Sequence, residues 1–198
     1  MSKQKRAPDS RTPLSEEQIR EHTIGELRPL SARIEIADYN PRWPESFERE
    51  AKRVREALGP RALRIEHTGS TSVPGLAAKP VIDMLLEVSD SADETEYVPV
   101  LERAGDVLRI REAEWHEHRM FNGPDTEVNL HVFSSGCKEI GRILAFRNRL
   151  RSHSADRDLY SRTKFALAQK EWKYVQNYAD AKTAVIGEIM RRIARDQK

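Results

Sequence analysis

The sequence predicts an α/β fold in which a mixed β-sheet core is followed by a bundle of helices. Between residues 31 and 137, short apolar runs separated by turn residues alternate with helical patterns, which is typical of a mixed α/β core. After Gly136, three long stretches have helical periodicity and almost no internal turn signals. We therefore predict a flexible polar tail (1–30), the α/β core (31–137) and a basic helical part (138–198) that packs on the core.

The core begins with a predicted strand, a helix and a second strand. In ARIEIADYN the two isoleucines fall on one face, as in a half-buried strand. Apolar residues at helical spacing then run from Phe47 to Leu58, and the Gly-Pro pair at 59–60 ends that helix. ALRIEHT predicts a short strand that leads into the loop TGSTSVPGLAAKP.

The second half of the core is predicted to add one helix and four strands. VIDMLLEV predicts a buried strand because six of its eight residues are apolar. SADETEYVPVLERAG predicts a helix and DVLRIRE a strand, whereas WHEHRMF and EVNLHVF predict two strands joined as a hairpin by NGPDT. Ahead of the core, SEEQIREHTIGEL predicts a short helix with Ser15 as N-cap and Gln18 at its N3 position.

Composition and charge restrict the class of protein. The sequence has no apolar run of transmembrane length and no secretory signal, so we expect a cytoplasmic protein without membrane contact. Its one cysteine, Cys137, excludes an internal disulfide. Residues 31–137 carry 13 Lys/Arg and 20 Asp/Glu, whereas residues 138–198 carry 15 and 7. This asymmetry fits either a helical surface that pairs with the acidic core, or a cationic wall facing a nucleotide triphosphate; support for nucleic acid is weak.

The stretch EHTGSTSVPGLAAKPVIDMLLEV joins a turn of small and hydroxyl residues to one acid in an apolar strand. A Gly-Ser pair allows a phosphate to approach the backbone, so Gly69, Ser70, Thr71 and Ser72 are candidate phosphate contacts; alternatively, the hydroxyls satisfy the turn backbone. The P-loop and GxGxxG patterns are absent. The spacing to Asp83 places turn and carboxylate at the same end of adjacent elements, an arrangement that holds Mg²⁺ for nucleotidyl transfer.

Gly-Ser, this spacer and an acid within an apolar strand together resemble the signature of polymerase-β-like nucleotidyltransferases. More closely, EHTGSTSVPGLAAKPVIDMLLEV with NLHVF and FRNRLR resembles the GrpB family, from about Ile34 to the C-terminus. The resemblance implies a nucleotidyltransferase-like fold, but no settled reaction. GrpB-like domains are also joined to dephospho-coenzyme A kinase in some bacteria, which by analogy implies an accessory role.

One position departs from the superfamily pattern, which has two acids two residues apart on one strand face. Leu85 stands where the second acid is expected. Glu87 shares that face, but it lies about 13 Å from Asp83 along the strand, too far to bind the same ion. The alternating face of EVNLHVF offers further polar side chains, namely Glu127, Asn129 and His131. Of these, His131 falls in the HVF motif of the family, and we predict it as a ligand or acid–base group.

Several other side chains have competing structural and functional interpretations. We favour Lys79, at the end of the loop, as a phosphate contact over a solvated turn lysine. Arg119 either clamps a phosphate or pairs with an acid of the core. His67 is expected to be structural. His116 and His118 share a predicted strand face, but zinc is disfavoured because no third ligand is in reach.

The helical part repeats the pattern Tyr-x-x-x-Lys, in YSRTK and YADAK. The spacing places Tyr160 with Lys164, and Tyr178 with Lys182, on one helix face each. In one interpretation the lysines line the phosphate end of a cleft and the tyrosines lie beside the base or ribose. In the other, the rings are partly buried and the lysines extend along them to solvent.

Two hypotheses about function follow. In the first, the protein binds a nucleoside triphosphate with Mg²⁺ and transfers a nucleotidyl group to an unknown acceptor. Asp83 would bind the metal, Gly69 and Ser70 the phosphates, and His131 would act as ligand or acid–base group, with charge neutralised by Lys79, Arg119, Lys164 and Lys182. In the second, the chain is a non-catalytic module that binds a nucleotide or another phosphorylated small molecule and has lost the second acid.

Overall fold

A five-stranded mixed β-sheet forms the centre of the structure, a computed structural model that describes residues 12–124 and 127–197. The strand order is β1-β2-β5-β4-β3, in which β2 and β5 are parallel and the other neighbours antiparallel. The strands are β1 (Arg64–Thr68), β2 (Ile82–Val88), β3 (Val107–Glu112), β4 (His118–Asn122) and β5 (Val128–Ser134). The predicted mixed α/β fold with flanking helices is confirmed.

Seven helices surround the sheet within the described residues. They are α1 (Glu16–His22), α2 (Trp43–Leu58), α3 (Val98–Arg103), α4 (Lys138–Ser152), α5 (Ser154–Ala168), α6 (Val175–Ala181) and α7 (Thr183–Asp196). We call the side of the sheet that packs on α2 and α3 the core face, and the side that meets α4 the cleft face. In the described part of the chain, no helix has the length and apolar character needed to cross a membrane.

The alternation of side chains along β2 and β5 separates the two faces. Even-numbered residues of both strands enter the apolar core beneath α2 and α3, together with Phe47, Val54, Leu101 and Phe121. Odd-numbered residues point to the cleft face and include Asp83, Leu85, Asn129, His131 and Phe133. The strand register therefore places Asp83, Asn129 and His131 together at one end of the cleft face, whereas Glu87 lies at the other end.

Two predicted elements of the core are shorter than expected. ARIEIADYN forms no strand; Ala37 and Ala78 make an isolated bridge through two backbone hydrogen bonds of 2.9 and 2.8 Å. The partner of this segment is a loop, which offers a single pairing position. The helix predicted for SADETEYVPVLERAG is reduced to α3, because Pro99 is tolerated in a first helical turn but not in a helix interior.

Two further boundaries differ from the predictions. His116 and Glu117 adopt φ values of 55° and 52° in the turn between β3 and β4, so β4 begins only at His118. The expectation that His116 and His118 share a strand face is therefore wrong. The last helical pattern is divided at Lys182 into α6 and α7. The loop of the predicted β4–β5 hairpin includes residues 125–126, which lie outside the described residues, and the antiparallel pairing of the two strands is confirmed.

The described part of the N-terminal segment contacts the sheet edge and the helical part. The capping box predicted at Ser15 and Gln18 begins α1. Thr23 pairs with Ile110 of β3, and the backbone N–H of Leu14 donates to Asp180 at 2.9 Å. Residues 1–11 lie outside the described residues, and the flexibility of the tail and the three-part division of the chain stay predictions.

Candidate functional site

Asp83 lies at the start of β2, beside the loop that follows β1. Thr68, the last residue of β1, pairs with Asp83 in the strand register, so the loop and the carboxylate are adjacent, as the spacing predicted. Gly69 adopts a φ of +63°, and a Cβ at this position would lie 2.0 Å from Oδ2 of Asp83. A glycine is therefore required here twice, by the backbone conformation and by the space that the carboxylate occupies.

The Asp83 carboxylate is held by two residues of the parallel neighbour β5. Nδ2 of Asn129 donates to Oδ1 at 3.0 Å, and Nε2 of His131 lies 3.9 Å from the same oxygen. Burial alone would raise the pKa of Asp83, but His131, Asn129 and the charge of Lys182 outweigh it and lower that pKa. The side chain is a carboxylate at neutral pH, and it is 31% exposed toward the cleft.

His131 ends a hydrogen-bonded chain that crosses β4 and reaches β3. Its Nδ1 lies 2.9 Å from Nε2 of His118, whose Nδ1 lies 2.7 Å from Oε2 of the buried Glu112. An ionised Glu112 only accepts, so Nδ1 of His118 donates to it. A neutral His118 then accepts from His131. In a neutral His131, Nε2 carries a lone pair toward Asp83, whereas the imidazolium, which is the form that lowers the pKa of Asp83, donates there. If one proton is added to this chain, the hydrogen bond between the two imidazole rings can reverse, so that His118 donates to His131 and Nε2 of His131 becomes a donor.

Glu112 was not among the predicted site residues, and His118 was considered only as a zinc ligand together with His116. Both side chains reach the chain of hydrogen bonds because β3 pairs with β4 in a register that sets Glu112 opposite His118. Nothing in the spacing of the two segments discloses that register. An alternating strand that ends in a buried acid, DVLRIRE, was the available signal.

The loop hydroxyls divide into one that faces the cleft and two that do not. Ser70 lines the cleft beside Asp83. Oγ1 of Thr71 donates to the carbonyl of Val81 at 3.1 Å, and Oγ of Ser72 donates to the carbonyl of Gly69 at 2.7 Å. Thr71 and Ser72 thus satisfy the turn backbone, which is the structural one of the two alternatives considered for them.

The two Tyr-x-x-x-Lys pairs place both ammonium groups over aromatic rings. Nζ of Lys164 lies 5.1 Å from the ring centroid of Tyr160, and Nζ of Lys182 lies 4.5 Å from that of Tyr178. Lys164 is only 2% exposed and donates to the carbonyl of Ala77. Burial, and after it the charge of Lys182, lower the pKa of Lys164 to about 7. Among the described residues, neither lysine forms an ion pair with a carboxylate.

Two cavities meet at Ser70, Asp83 and His131. The larger, of about 510 Å³, is also lined by predicted site residues of the loop and the helical part, namely Lys79, Lys164, Tyr178 and Lys182. Its opposite wall is the N-terminal segment, which contributes Leu14, Ile19, His22 and Leu27. The smaller, of about 250 Å³, lies between the cleft face and helices α4, α5 and α7, and Gly69 and Tyr160 line it.

Arg119 is not brought to either cavity. It lies on the core face, 5% exposed, where its Nε donates to Oε1 of Glu94 at 2.5 Å. Arg111 binds the same carboxylate through two hydrogen bonds of 2.6 Å. Of the two interpretations of Arg119, the structure therefore shows the ion pair with an acid of the core. The interpretation as a phosphate clamp is wrong, because an odd-numbered residue of β4 points away from the cleft.

Asp83 and His131 are the two side chains here that could contribute ligands to one divalent cation, and β2 offers no second acid for another. Oδ1 of Asp83 and Nε2 of His131 face the same space, 3.9 Å apart. Leu85, where a second acid would stand, is fully buried against Phe133, Ile140 and Leu144. Over residues 12–124 and 127–197, no group of three or more His, Cys, Asp or Glu could hold a metal ion. A cation held here would complete its shell with water and phosphate oxygens, as Mg²⁺ commonly does.

Comparisons with known proteins agree with one another. The family model described as GrpB protein matches residues 33–192. The UPF0157 protein BH1888 of Halalkalibacterium halodurans is 60% identical over 181 residues, which cover 91% of this chain and 93% of that protein. The crystal structure of conserved protein GrpB from Enterococcus faecalis aligns with a TM-score of 0.72 and 32% identity, covering 82% of this chain and 99% of the other. A dephospho-CoA kinase of Mycolicibacterium paratuberculosis is 37% identical over 87 residues, 42% of this chain and 21% of that protein.

Proposed function

This chain belongs to the GrpB family, and we propose that its cleft binds a nucleoside triphosphate with one divalent cation and transfers the nucleotidyl group to an acceptor. One observation carries the proposal. An anionic Asp83, a hydroxyl at Ser70 and the cations Lys164 and Lys182 border the same 510 Å³ cavity, whose volume suits a nucleotide. Nucleic acid is a weaker candidate for this cavity, because one of its cations, Lys164, is only 2% exposed.

The lysines are suited to the phosphate groups. A buried ammonium group without a carboxylate partner is under-solvated, and a bound phosphate would restore the missing interactions. Lys79 borders the same cavity from the loop and adds a third cation. Tyr178, whose ring supports Lys182, offers a face for the base or the ribose.

Asp83 and His131 are suited to the reacting end of the nucleotide. A divalent cation, for which we propose Mg²⁺, would neutralise the phosphates and orient the α-phosphate beside Asp83. The lone pair on Nε2 of His131 can accept a proton from an attacking hydroxyl. The chain through His118 to Glu112 then stabilises the imidazolium by placing a carboxylate at its far end.

Calorimetric titration of ATP in the presence and absence of Mg²⁺ tests the metal role. Asp83→Ala should remove the Mg²⁺-dependent part of the affinity, because Asp83 is the one carboxylate among the described residues that lines both cavities. Glu87→Ala is the matched control, since Glu87 lies on the same strand and face but borders neither cavity. An Asp83→Ala protein that binds ATP–Mg²⁺ as tightly as the wild type would refute the metal site.

A second candidate is a binding module without catalysis. The burial of Leu85 at the position of the second acid favours it, because two-metal chemistry has no second ligand here. The partial similarity to a dephospho-CoA kinase adds the possibility that such a module serves a phosphorylated coenzyme A precursor. Tight nucleotide binding without pyrophosphate release, over a panel of hydroxyl acceptors, would favour the module over the transferase.

A further inference from the structure

We propose that the smaller cavity is the acceptor site, and that it takes a small uncharged molecule with an aromatic or alicyclic body and one hydroxyl group. This inference rests on the proposed nucleotide function and names its second substrate. The two cavities share Ser70, Asp83 and His131 and extend to opposite sides of them. A nucleotide in the larger cavity and an acceptor in the smaller one would thus meet at the same three side chains.

The walls of the smaller cavity indicate an apolar ligand. They are mostly aromatic and aliphatic, and they include Trp115, Phe133, Ile143, Phe146, Leu150 and Ile186. Its volume of about 250 Å³ is half that of the larger cavity and lies below the ~300–1,000 Å³ of pockets for drug-sized ligands. A single ring with a short substituent fits this space, whereas a nucleotide does not.

The charges around the smaller cavity argue against an anionic acceptor such as a nucleic-acid end. Arg142 is neutralised by Glu139 through two hydrogen bonds of 2.7 and 2.6 Å. Arg147 donates to Glu66 at 2.7 Å. With both guanidinium groups paired, the remaining formal charge among the described lining residues is the carboxylate of Asp83, which repels a phosphate and accepts a hydroxyl.

The transfer step balances with these groups. The acceptor hydroxyl oxygen bonds to the α-phosphorus of the nucleotide, and the bond from that phosphorus to the β-phosphate oxygen breaks. Pyrophosphate leaves through the larger cavity. The hydroxyl proton passes to Nε2 of His131, which can hold it because His118 and Glu112 share the resulting positive charge. No oxidant or further reactant is needed.

Saturation-transfer NMR with 2-phenylethanol and cyclohexanol as probes tests the ligand class on the full chain. Ile143→Trp fills the smaller cavity alone, because Ile143 does not line the larger one. It should weaken binding of both alcohols at least tenfold and leave the affinity for a fluorescent ATP analogue unchanged. Met120→Trp is the matched control, since Met120 lines only the larger cavity, and it should have the opposite effects. Ile186→Trp repeats the first test from another helix if Ile143→Trp is unfolded by circular dichroism.

Each outcome decides a separate point. Alcohol binding that is absent in the wild type, or that Ile143→Trp and Ile186→Trp leave unchanged, would overturn the inference. So would displacement of the alcohols by hexathymidylate, because a nucleic-acid end would then be the better occupant. Failure of the ATP analogue to bind would overturn the proposed nucleotide function, while alcohol binding that depends on Ile143 would still support the ligand class of the smaller cavity.

Discussion

The two faces of the sheet hold their cations in different ways. On the core face, Arg53 forms two hydrogen bonds of 2.6 and 2.8 Å with Asp106, and Arg119 pairs with Glu94. On the cleft side, Lys164 and Lys182 lie against tyrosine rings, and Lys164 donates to a carbonyl. The two arginines of the core face are neutralised within the fold, whereas the two lysines form no ion pair with a carboxylate among the described residues, and we assign their charge to ligand binding.

This difference refines the meaning of the basic helical part. Four of its nine arginines form ion pairs with carboxylates of the described residues: Arg142 binds Glu139, Arg147 binds Glu66 of the core, and Arg149 and Arg192 both bind Asp156. These ion pairs account for part of the charge asymmetry, whereas the cationic wall facing a nucleotide stays a prediction. Whether a cation is paired, rather than how many cations a segment has, separates structural charge from the charge that we assign to ligand binding.

The largest expected effect is a loss of stability on substitution of Leu85, the first residue of the apolar part of the cleft face on β2. Leu85→Asp should lower the free energy of unfolding by about 4 kcal/mol or more, because it buries a carboxylate among apolar side chains. Urea denaturation would measure it, with Leu85→Met as a control that should cost less than about 1.5 kcal/mol. A stable Leu85→Asp protein with new pyrophosphate release would mean that the second acid can simply be restored.

The next largest effect is expected for an ion-paired arginine of the core face, whose loss should lower stability and leave ligand binding unchanged. Arg53→Met should cost about 3–5 kcal/mol, because it leaves the buried Asp106 without its partner, and should not change ATP affinity. Arg61→Met, which breaks an exposed pair with Glu96 and borders neither cavity, should cost less than about 1 kcal/mol. Chemical denaturation and ATP titration of both variants give the comparison. A loss of ATP affinity in folded Arg53→Met protein would contradict the division between faces.

A substitution in the cleft should have the opposite effects, weakening ATP binding without lowering stability. Lys164→Met should weaken ATP binding about tenfold or more, equivalent to about 1.4 kcal/mol. Stability should stay the same or rise, because the variant removes a buried ammonium group that lacks a carboxylate partner. Calorimetry and thermal unfolding would measure both quantities. Marked destabilisation with unchanged ATP affinity would instead assign Lys164 to the fold, like the arginines of the core face.

The last effect is a gradual pH dependence, at most about 1.4 kcal/mol per pH unit, that follows from the lowered pKa of Lys164. The folded protein releases this proton near pH 7, whereas the unfolded chain keeps it to about pH 10.5. The unfolded state therefore binds more protons between these values, so the contribution of Lys164 to stability rises with pH above 7. ATP affinity should fall over the same range as the ammonium charge is lost. Both slopes should be reduced in Lys164→Met, and equal slopes in the two proteins would contradict the assignment.

Contacts between residues close in the sequence were predicted more successfully than contacts between distant segments. The spacing from Ser70 to Asp83 and the two Tyr-x-x-x-Lys repeats are local, and the expected neighbours are present. The pairing of Arg119 with Glu94 and the chain from Glu112 to His131 depend on strand order and register, which local sequence does not specify. The missing acid at Leu85 was visible in the sequence, but its burial beneath α4 was not, because that contact joins segments about fifty residues apart.

The close approach of Gly69 to Asp83 has a consequence for which substitutions the site tolerates. Any side chain at position 69 would displace the carboxylate, so a change in the loop would have the phenotype of a change in the strand. A saturation mutagenesis screen for the activity of this protein should therefore find both positions equally intolerant, although they are separated by a turn and a strand boundary. A sequence that keeps the Asp83 carboxylate in this position is therefore expected to keep glycine at position 69 as well.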